Sequence, residues 1–294
     1  MRFRKITIVG VGLLGGSIGL AVRKRGLAGE VAGYVRRPAS VSDCEKFAVA
    51  DYATTDLLAA VSKADLVILC TPLAQMRSLV KQLLPGLKRG AIVTDVGSVK
   101  ASVARDVETL IHKTGAHFIA SHPMAGGEKI GMSAARAELF ENAVCVVTPT
   151  RKSNSAALKK VEQFWKALGG RVLRLTPEIH DQLVSRSSHL PHISAAVLTN
   201  LVLNPSAPKE QAKLCANGFR DTTRIASGSP EMWRDIAVAN RTNLIRAIDL
   251  FVNELRKVQA ALKNSDADAL TEFFQQAKER RDSWCAGCAS PSPE

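Results

Sequence analysis

The stretch that decides the fold is Ile6-Thr7-Ile8-Val9-Gly10-Val11-Gly12-Leu13-Leu14-Gly15-Gly16-Ser17. Residues 6–9 are a β-rich apolar run, the glycines follow at once, and a helical pattern continues to Arg25, where Gly26 ends it. Strand, Gly-x-Gly-x-x-Gly and helix in this order form a loop built for a dinucleotide pyrophosphate. Gly10 permits the tight turn, Gly12 lets the backbone approach the phosphates, and Gly15 allows helix and strand to pack closely. Leu13 and Leu14 fall in the first helical turn, whose free N–H groups and dipole favour an anion.

Working outward, further apolar runs lie at 30–35, 66–70, 91–95, 117–120 and 143–148, with a last candidate at 171–175. Helix-length segments separate them at 42–49, 56–63, 73–84, 99–114 and 154–168. Continuous apolar strands alternating with helices predict an α/β domain with a Rossmann-like doubly wound parallel sheet, covered on both faces. After Thr176 the pattern changes: Pro177 opens a helix, and 179–203, 230–263 and 266–283 all carry helical periodicity. The boundary is set near 176, giving a dinucleotide-binding domain over 1–176 and an all-helical substrate and dimerisation domain over 177–294. The stripe at 236, 244, 245, 248, 251, 252, 255, 258 and 262 is hard to bury within one chain and predicts a homodimer. The last ten residues, 285–294, read as a flexible tail.

The second strand ends Gly33-Tyr34-Val35-Arg36-Arg37. An NAD site usually carries a carboxylate there to hold the ribose. Here two arginines follow instead, and a guanidinium pairs well with a 2′-phosphate. NADP is therefore expected in preference to NAD, against the alternative that Arg36 and Arg37 are surface charges. Thr71 and Pro72 end one strand and Ser98 follows another, so all three are candidates to line the nicotinamide. The plainer role for Ser98 is to cap the next helix.

Of the six histidines, His112 and His117 flank a helix-to-strand turn and read as structural. His122 follows a strand end in Ser121-His122-Pro123-Met124-Ala125-Gly126-Gly127, a loop fixed by Pro and Gly at the carboxyl edge of the sheet. That placement suits a general base beside a nicotinamide. His189 and His192 straddle Pro191 and can face the same cleft. No carboxylate cluster accompanies them, so no metal is expected.

The net charge of +13 is scattered, with no basic stripe interleaved with aromatics, which argues against nucleic acid; anionic small ligands suit it. The hydrophobic share of 46% excludes a disordered chain. Arg2, Arg4 and Lys5 before an apolar run imitate a secretory leader, but the ordered glycines resolve that run into strand, turn and helix. No stretch reaches membrane-spanning length. Cys44, Cys70, Cys145 and Cys215 are isolated, Cys70 and Cys145 within apolar stretches, and read as reduced thiols of a cytoplasmic protein. Cys285-x-x-Cys288 lacks a second pair and reads as part of the tail rather than a zinc site.

The glycine loop, Asp95-Val96-Gly97-Ser98-Val99-Lys100, His122-Pro123-Met124-Ala125-Gly126, Ser188-His189-Leu190-Pro191-His192, Phe219-Arg220-Asp221-Thr222-Thr223-Arg224-Ile225-Ala226 and Met232-Trp233-Arg234-Asp235 occur in this order. Together they resemble the prephenate/arogenate dehydrogenase family of tyrosine biosynthesis, over roughly residues 5–282. The resemblance implies oxidative decarboxylation of a cyclohexadienol with NAD(P). It implies His122 as catalytic histidine, Ser98 as active-site serine, Arg224 as the arginine for a substrate carboxylate and His192 as the histidine of the S-H-L-P-H segment. Prephenate is the expected substrate, with arogenate or both as the alternative. Neither a fused chorismate mutase nor a regulatory domain is expected. One departure is Gly127, where the family often has Ser or Thr, followed by Glu128 and Lys129. The competing readings are a β-hydroxyacid dehydrogenase or imine reductase, and a dinucleotide-sensing module without a base.

Overall fold

A computed structural model describes residues 2–127 and 131–289. The chain forms two compact units, residues 1–244 and 245–294.

In the first unit six parallel strands form the main sheet: β1 (Phe3–Val9), β2 (Ala28–Tyr34), β3 (Tyr52–Thr54), β4 (Leu66–Leu69), β5 (Ile92–Asp95) and β6 (His117–Phe118). Their order, β3-β2-β1-β4-β5-β6, is that of a doubly wound dinucleotide fold. The helices between and after them are α1 (Leu13–Lys24), α2 (Ala39–Lys46), α3 (Leu57–Val61), α4 (Leu73–Leu83), α5 (Ala101–His112) and α6 (Ser155–Ala167). The period of two along each strand explains the two-faced core. Ile6, Ile8, Leu66 and Ile68 pack on one side with Ile18, Val22 and Phe164. Val9, Val67 and Leu69 point to the other, against Val80, Leu83, Val103 and Ile111. Each such side chain, when fully buried, stabilises the fold by about 1.5–3 kcal/mol. The connection reverses between β1 and β4, and in such sheets the crevice beyond that point takes the ligand.

The run at 117–120 is not one strand of this sheet, as the sequence suggested. It splits into β6 and β7 (Ala120–Pro123), and β7 joins a second sheet with β8 (Val144–Thr148) and β9 (Arg171–Arg174). β7 runs antiparallel to β8, while β8 and β9 are parallel. The split has a local cause. Ile119 N–H still donates to the Val93 carbonyl at 3.0 Å. The next bonds come from Ser121 to Asp95: its N–H to Oδ1 at 3.2 Å and its hydroxyl to the carbonyl at 2.7 Å. Side-chain bonds replace the ladder there, and the chain turns away. β3 escapes a sequence reading because it is a three-residue edge strand with Tyr52 exposed.

Beyond Arg174 the described chain is helical. α7 (Pro177–Val184) starts at Pro177 with Thr176 as cap and passes through a π-helical turn, Ser185–His189, into α8 (Leu190–Val202). Pro191 accounts for that turn, since it cannot donate to the Ser187 carbonyl and its ring crowds it. α9 (Lys209–Lys213), α10 (Asn217–Thr223) and α11 (Pro230–Ala239) follow. The apolar stripe starting at 236 does not run through one helix: Asn240 breaks it, and α12 (Arg241–Lys263) begins afresh. The second unit holds most of α12 and α13 (Ala267–Ala289), with Phe251, Leu255 and Leu262 exposed along the stripe. α13 extends through Cys285, which is exposed within it, so the segment expected to be a loose tail is helical as far as 289. Residues 290–294 and the Cys288 side chain lie outside the described residues. No described helix is long and apolar enough to cross a membrane.

Candidate active site

The phosphate loop sits at the carboxyl end of β1. Gly10 adopts φ +95°, and a Cβ there would stand 2.7 Å from the Cys70 carbonyl oxygen. A Cβ on Gly15 would reach within 2.2 Å of the Gly10 oxygen, so that position admits no side chain. At Gly12, by contrast, a Cβ meets nothing within 4 Å. Gly12 also precedes α1 with no side chain capping the helix. Open space before uncapped N–H groups fits a bound phosphate. Leu13 and Leu14 are half-buried in the first turn.

A cleft of about 330 Å³ opens here and brings together Gly10, Gly12, Arg36, Arg37, Thr71 and Pro72. Ser40 from α2 and Gln75 from α4 also border it. The Thr71 hydroxyl is buried without a partner among the described residues, as suits a wall that meets a polar ligand. Arg36 and Arg37 are exposed, and neither guanidinium has a side-chain partner among the described residues. The residues present fit a dinucleotide.

His122 lies within β7, paired with Val146 of β8, rather than in a loop beyond a strand end as the sequence suggested, and is 8% exposed. Its Nδ1 is 2.9 Å from His180 Nε2, and His180 Nδ1 is 2.8 Å from Asp181 Oδ1. The same carboxylate accepts the N–H of Lys100 at 2.7 Å and of Ala101 at 2.9 Å. These contacts determine the tautomers. A carboxylate only accepts, so His180 Nδ1 carries hydrogen and donates. Neutral His180 then accepts at Nε2, and His122 must donate from Nδ1. His122 Nε2 is left with its lone pair free of any partner among the described residues. Burial, first, and then the neighbouring His180, Lys100 and His189 hold the His122 pKa well below the ordinary 6.5. His180 is also lowered, chiefly by burial against the opposing pull of Asp181. The arrangement is a neutral imidazole with one basic nitrogen unengaged among the described residues.

Ser98 is half-buried, and its hydroxyl does not cap α5. Asp181 satisfies that helix start from α7, so the Ser98 hydroxyl has no protein partner among the described residues. His192 Nδ1 donates to the Ser188 carbonyl at 2.9 Å, with its Nε2 unpaired among the described residues. Its ring stacks on Trp233 at 3.6 Å between centroids. Burial lowers the His192 pKa, and the charge of Arg224 lowers it further, which places that guanidinium nearby. Arg224 is exposed at the end of α10. At Gly127 a Cβ would lie 3.6 Å from Leu13, so the loop after His122 returns to the phosphate loop. Glu128 and Lys129 lie outside the described residues.

Sequence reasoning passed over His180, Asp181 and Asn240, and named His189 only as able to face the same cleft as His192. His189 is 1% exposed; Asn240 Nδ2 stands 3.2 Å from its Nδ1 and donates to the Asp181 carbonyl at 2.8 Å. Burial pushes the His189 pKa down to about 4. The break at Asn240 thus delivers an amide into the histidine cluster. A buried His-Asp pair on an amphipathic helix was the available signal for His180 and Asp181.

Profile comparisons divide the chain in the same order. Residues 18–174 match the family described as prephenate dehydrogenase, nucleotide-binding domain, and residues 176–276 match prephenate dehydrogenase, dimerization domain. The prephenate dehydrogenase of Bacillus subtilis is 34% identical over 94% of this chain and 75% of its own length. The cyclohexadienyl dehydrogenase of Zymomonas mobilis is 33% identical over 95% of each. The crystal structure of prephenate dehydrogenase from Aquifex aeolicus with hydroxyphenyl propionate and NAD+ is 33% identical, covering 96% of this chain and 99% of that one, at a TM-score of 0.90. Matched in both halves and related along nearly its whole length, the chain belongs to the prephenate dehydrogenase family.

Proposed function

We propose that the chain catalyses NAD(P)-dependent oxidative decarboxylation of prephenate to 4-hydroxyphenylpyruvate. The observation that carries this is the Asp181–His180–His122 chain, which leaves His122 Nε2 a free base at the sheet's carboxyl edge. His122 takes the proton of the substrate's 4-hydroxyl as hydride departs from the same carbon. A bound nicotinamide supplies the hydride acceptor. The resulting dienone loses its ring carboxylate, driven by aromatisation. General-base help of this kind is worth roughly 10²–10⁴-fold. Ser98 offers its unpaired hydroxyl to the reacting oxygen, and Arg224 with His192 holds a substrate carboxylate. Arogenate carries the same ring and is the second substrate to test.

Arg36 and Arg37 support NADP over NAD, since they border the cleft where a carboxylate would otherwise repel the 2′-phosphate. The dimerisation-domain match and the exposed Phe251, Leu255 and Leu262 support a homodimer through the helical half. Sedimentation giving an active monomer would contradict it. The free, buried Cys44 and Cys145 support a reducing, cytoplasmic setting. Small molecules, not nucleic acid or membrane, are the proposed ligands. Formation of reduced cofactor, followed by absorbance with prephenate and arogenate against NAD and NADP, tests the reaction. Turnover with neither substrate would overturn it.

A further inference from the structure

Lys100 is wholly buried, and so is the carboxylate it pairs with, Asp95; both side chains are 0% exposed. The ammonium also donates to the Ser121 carbonyl at 2.8 Å. Asp95 in turn accepts the Gly97 N–H at 2.9 Å and the Ser121 N–H at 3.2 Å. The ring so closed ties the peptide directly before His122 to the turn that carries Ser98. Stability does not explain a charge here. A buried ion pair costs several kcal/mol of desolvation per ion, and an apolar pair of similar volume is often as stable or more so.

We propose that Lys100 is a positioning residue of the reaction: through Asp95 and the Ser121 carbonyl it locks together the segments bearing Ser98 and His122, and it places the ammonium of a buried ion pair beside them. This rests on His122 acting as the base. The groups facing His122 are His180 from α7, His189 from the π turn and Lys100 from the start of α5, with Asp181 and Asp95 one contact behind. Burial keeps both neighbouring histidines neutral. Burial lowers the Lys100 pKa as well, against the pull of Asp95 and Asp181, but its ion pair with Asp95 makes it the cation of that set, and it opposes protonation of the His122 ring.

The test is the pH dependence of kcat/KM for the wild type, Lys100→Met and the double variant Asp95→Asn/Lys100→Met. The double variant leaves no buried carboxylate unpaired, so it keeps the test open where the single variant fails to fold. NMR titration of the His122 imidazole in the wild type and the double variant accompanies it and needs no turnover. With the cation gone, the acid limb and the His122 titration should both move up by about one pH unit or more. Slower turnover at every pH with an unmoved acid limb would reduce Lys100 to a structural role and overturn the proposal. So would a wild-type His122 that already titrates near the ordinary ~6.5. Absence of turnover in the wild type would instead defeat the proposed reaction, while the NMR shift still decides the role of Lys100.

Discussion

Replacing Asp181 with Asn tests the tautomer argument at its source. The carboxylate accepts three hydrogen bonds, from Lys100 N, Ala101 N and His180 Nδ1. An amide has one oxygen and one NH2 for the same places. If the NH2 takes the Oδ2 position, it faces the Ala101 N–H, donor against donor. If it takes the Oδ1 position, it faces His180 Nδ1 and the Lys100 N–H. His180 then has to accept at Nδ1 and carry hydrogen on Nε2. His122 must accept in turn at Nδ1, and its Nε2 gains the hydrogen. The base is then blocked with every atom in place. The expected loss in kcat is on the order of 10²–10⁴-fold, the full value of general-base help. Leaving one or two buried N–H groups unsatisfied costs about 1–3 kcal/mol each, so a lower melting temperature accompanies it. Cofactor affinity stays near wild type because the phosphate loop is untouched. Single-turnover kinetics and cofactor titration on the folded variant separate these effects. The first orientation keeps the oxygen on His180 and leaves kcat unchanged, so the loss belongs to the second; an Asp181→Asn protein with wild-type kcat in which 15N NMR finds the hydrogen on His180 Nε2 would refute the chain of tautomers.

His122→Asn should retain cofactor affinity and lose at least about a hundredfold in kcat; near-normal turnover removes His122 from the mechanism. Arg224→Ala should raise KM about 10- to 150-fold, the value of a charge-assisted contact of roughly 1.5–3 kcal/mol; an unchanged KM with a lower melting temperature marks a structural arginine instead. Arg36→Ala with Arg37→Ala should weaken NADP about thirtyfold, for a contact of about 2 kcal/mol, and leave NAD nearly unchanged; equal weakening of both, or a wild-type preference for NAD, refutes the cofactor choice. Acid should destabilise the fold through its buried histidines. His189 titrates near 6.5 in the unfolded chain and at about 4 in the fold, so the unfolded state binds the extra proton as pH falls. This stability is complete above about pH 6.5 and is lost towards pH 4, roughly 3 kcal/mol from His189 at most; urea melts that are flat over that range contradict it.

The main sheet was legible because its central strands are buried on both faces and appear as unbroken apolar runs. β4 and β5 are buried at every position. The phosphate loop was legible because Gly10 and Gly15 answer to backbone clashes of 2.2–2.7 Å, which no other residue relieves. The split at Ile119 was not, because the bonds that cause it join Ser121 to Asp95, 26 positions away. Nor was the break at Asn240, since apolar periodicity runs straight across it. His122 was found from its own loop, but its partner stands 58 positions on in a helix that otherwise reads as ordinary. Asp95 and Lys100 were on view as an acid and a base five apart in an apolar segment. Only the fold shows that both are buried and paired.

The polar groups of the site come from elements that are far apart in sequence, and the bonds between them offset the cost of their burial. Asp181 belongs to α7 but forms the N-terminal cap of α5. Asn240 ends α11 but bonds to the Asp181 carbonyl. Lys100 begins α5 but holds the peptide before His122. The first bond crosses from the sheet domain to the helices, the second joins two helices and the third ties α5 to β7, and each satisfies a group that burial would otherwise penalise. One network therefore does two jobs. It joins the sheet to the helices that follow Thr176, and it fixes the proton positions on His180 and His122. A substitution in it must then alter stability and proton transfer together.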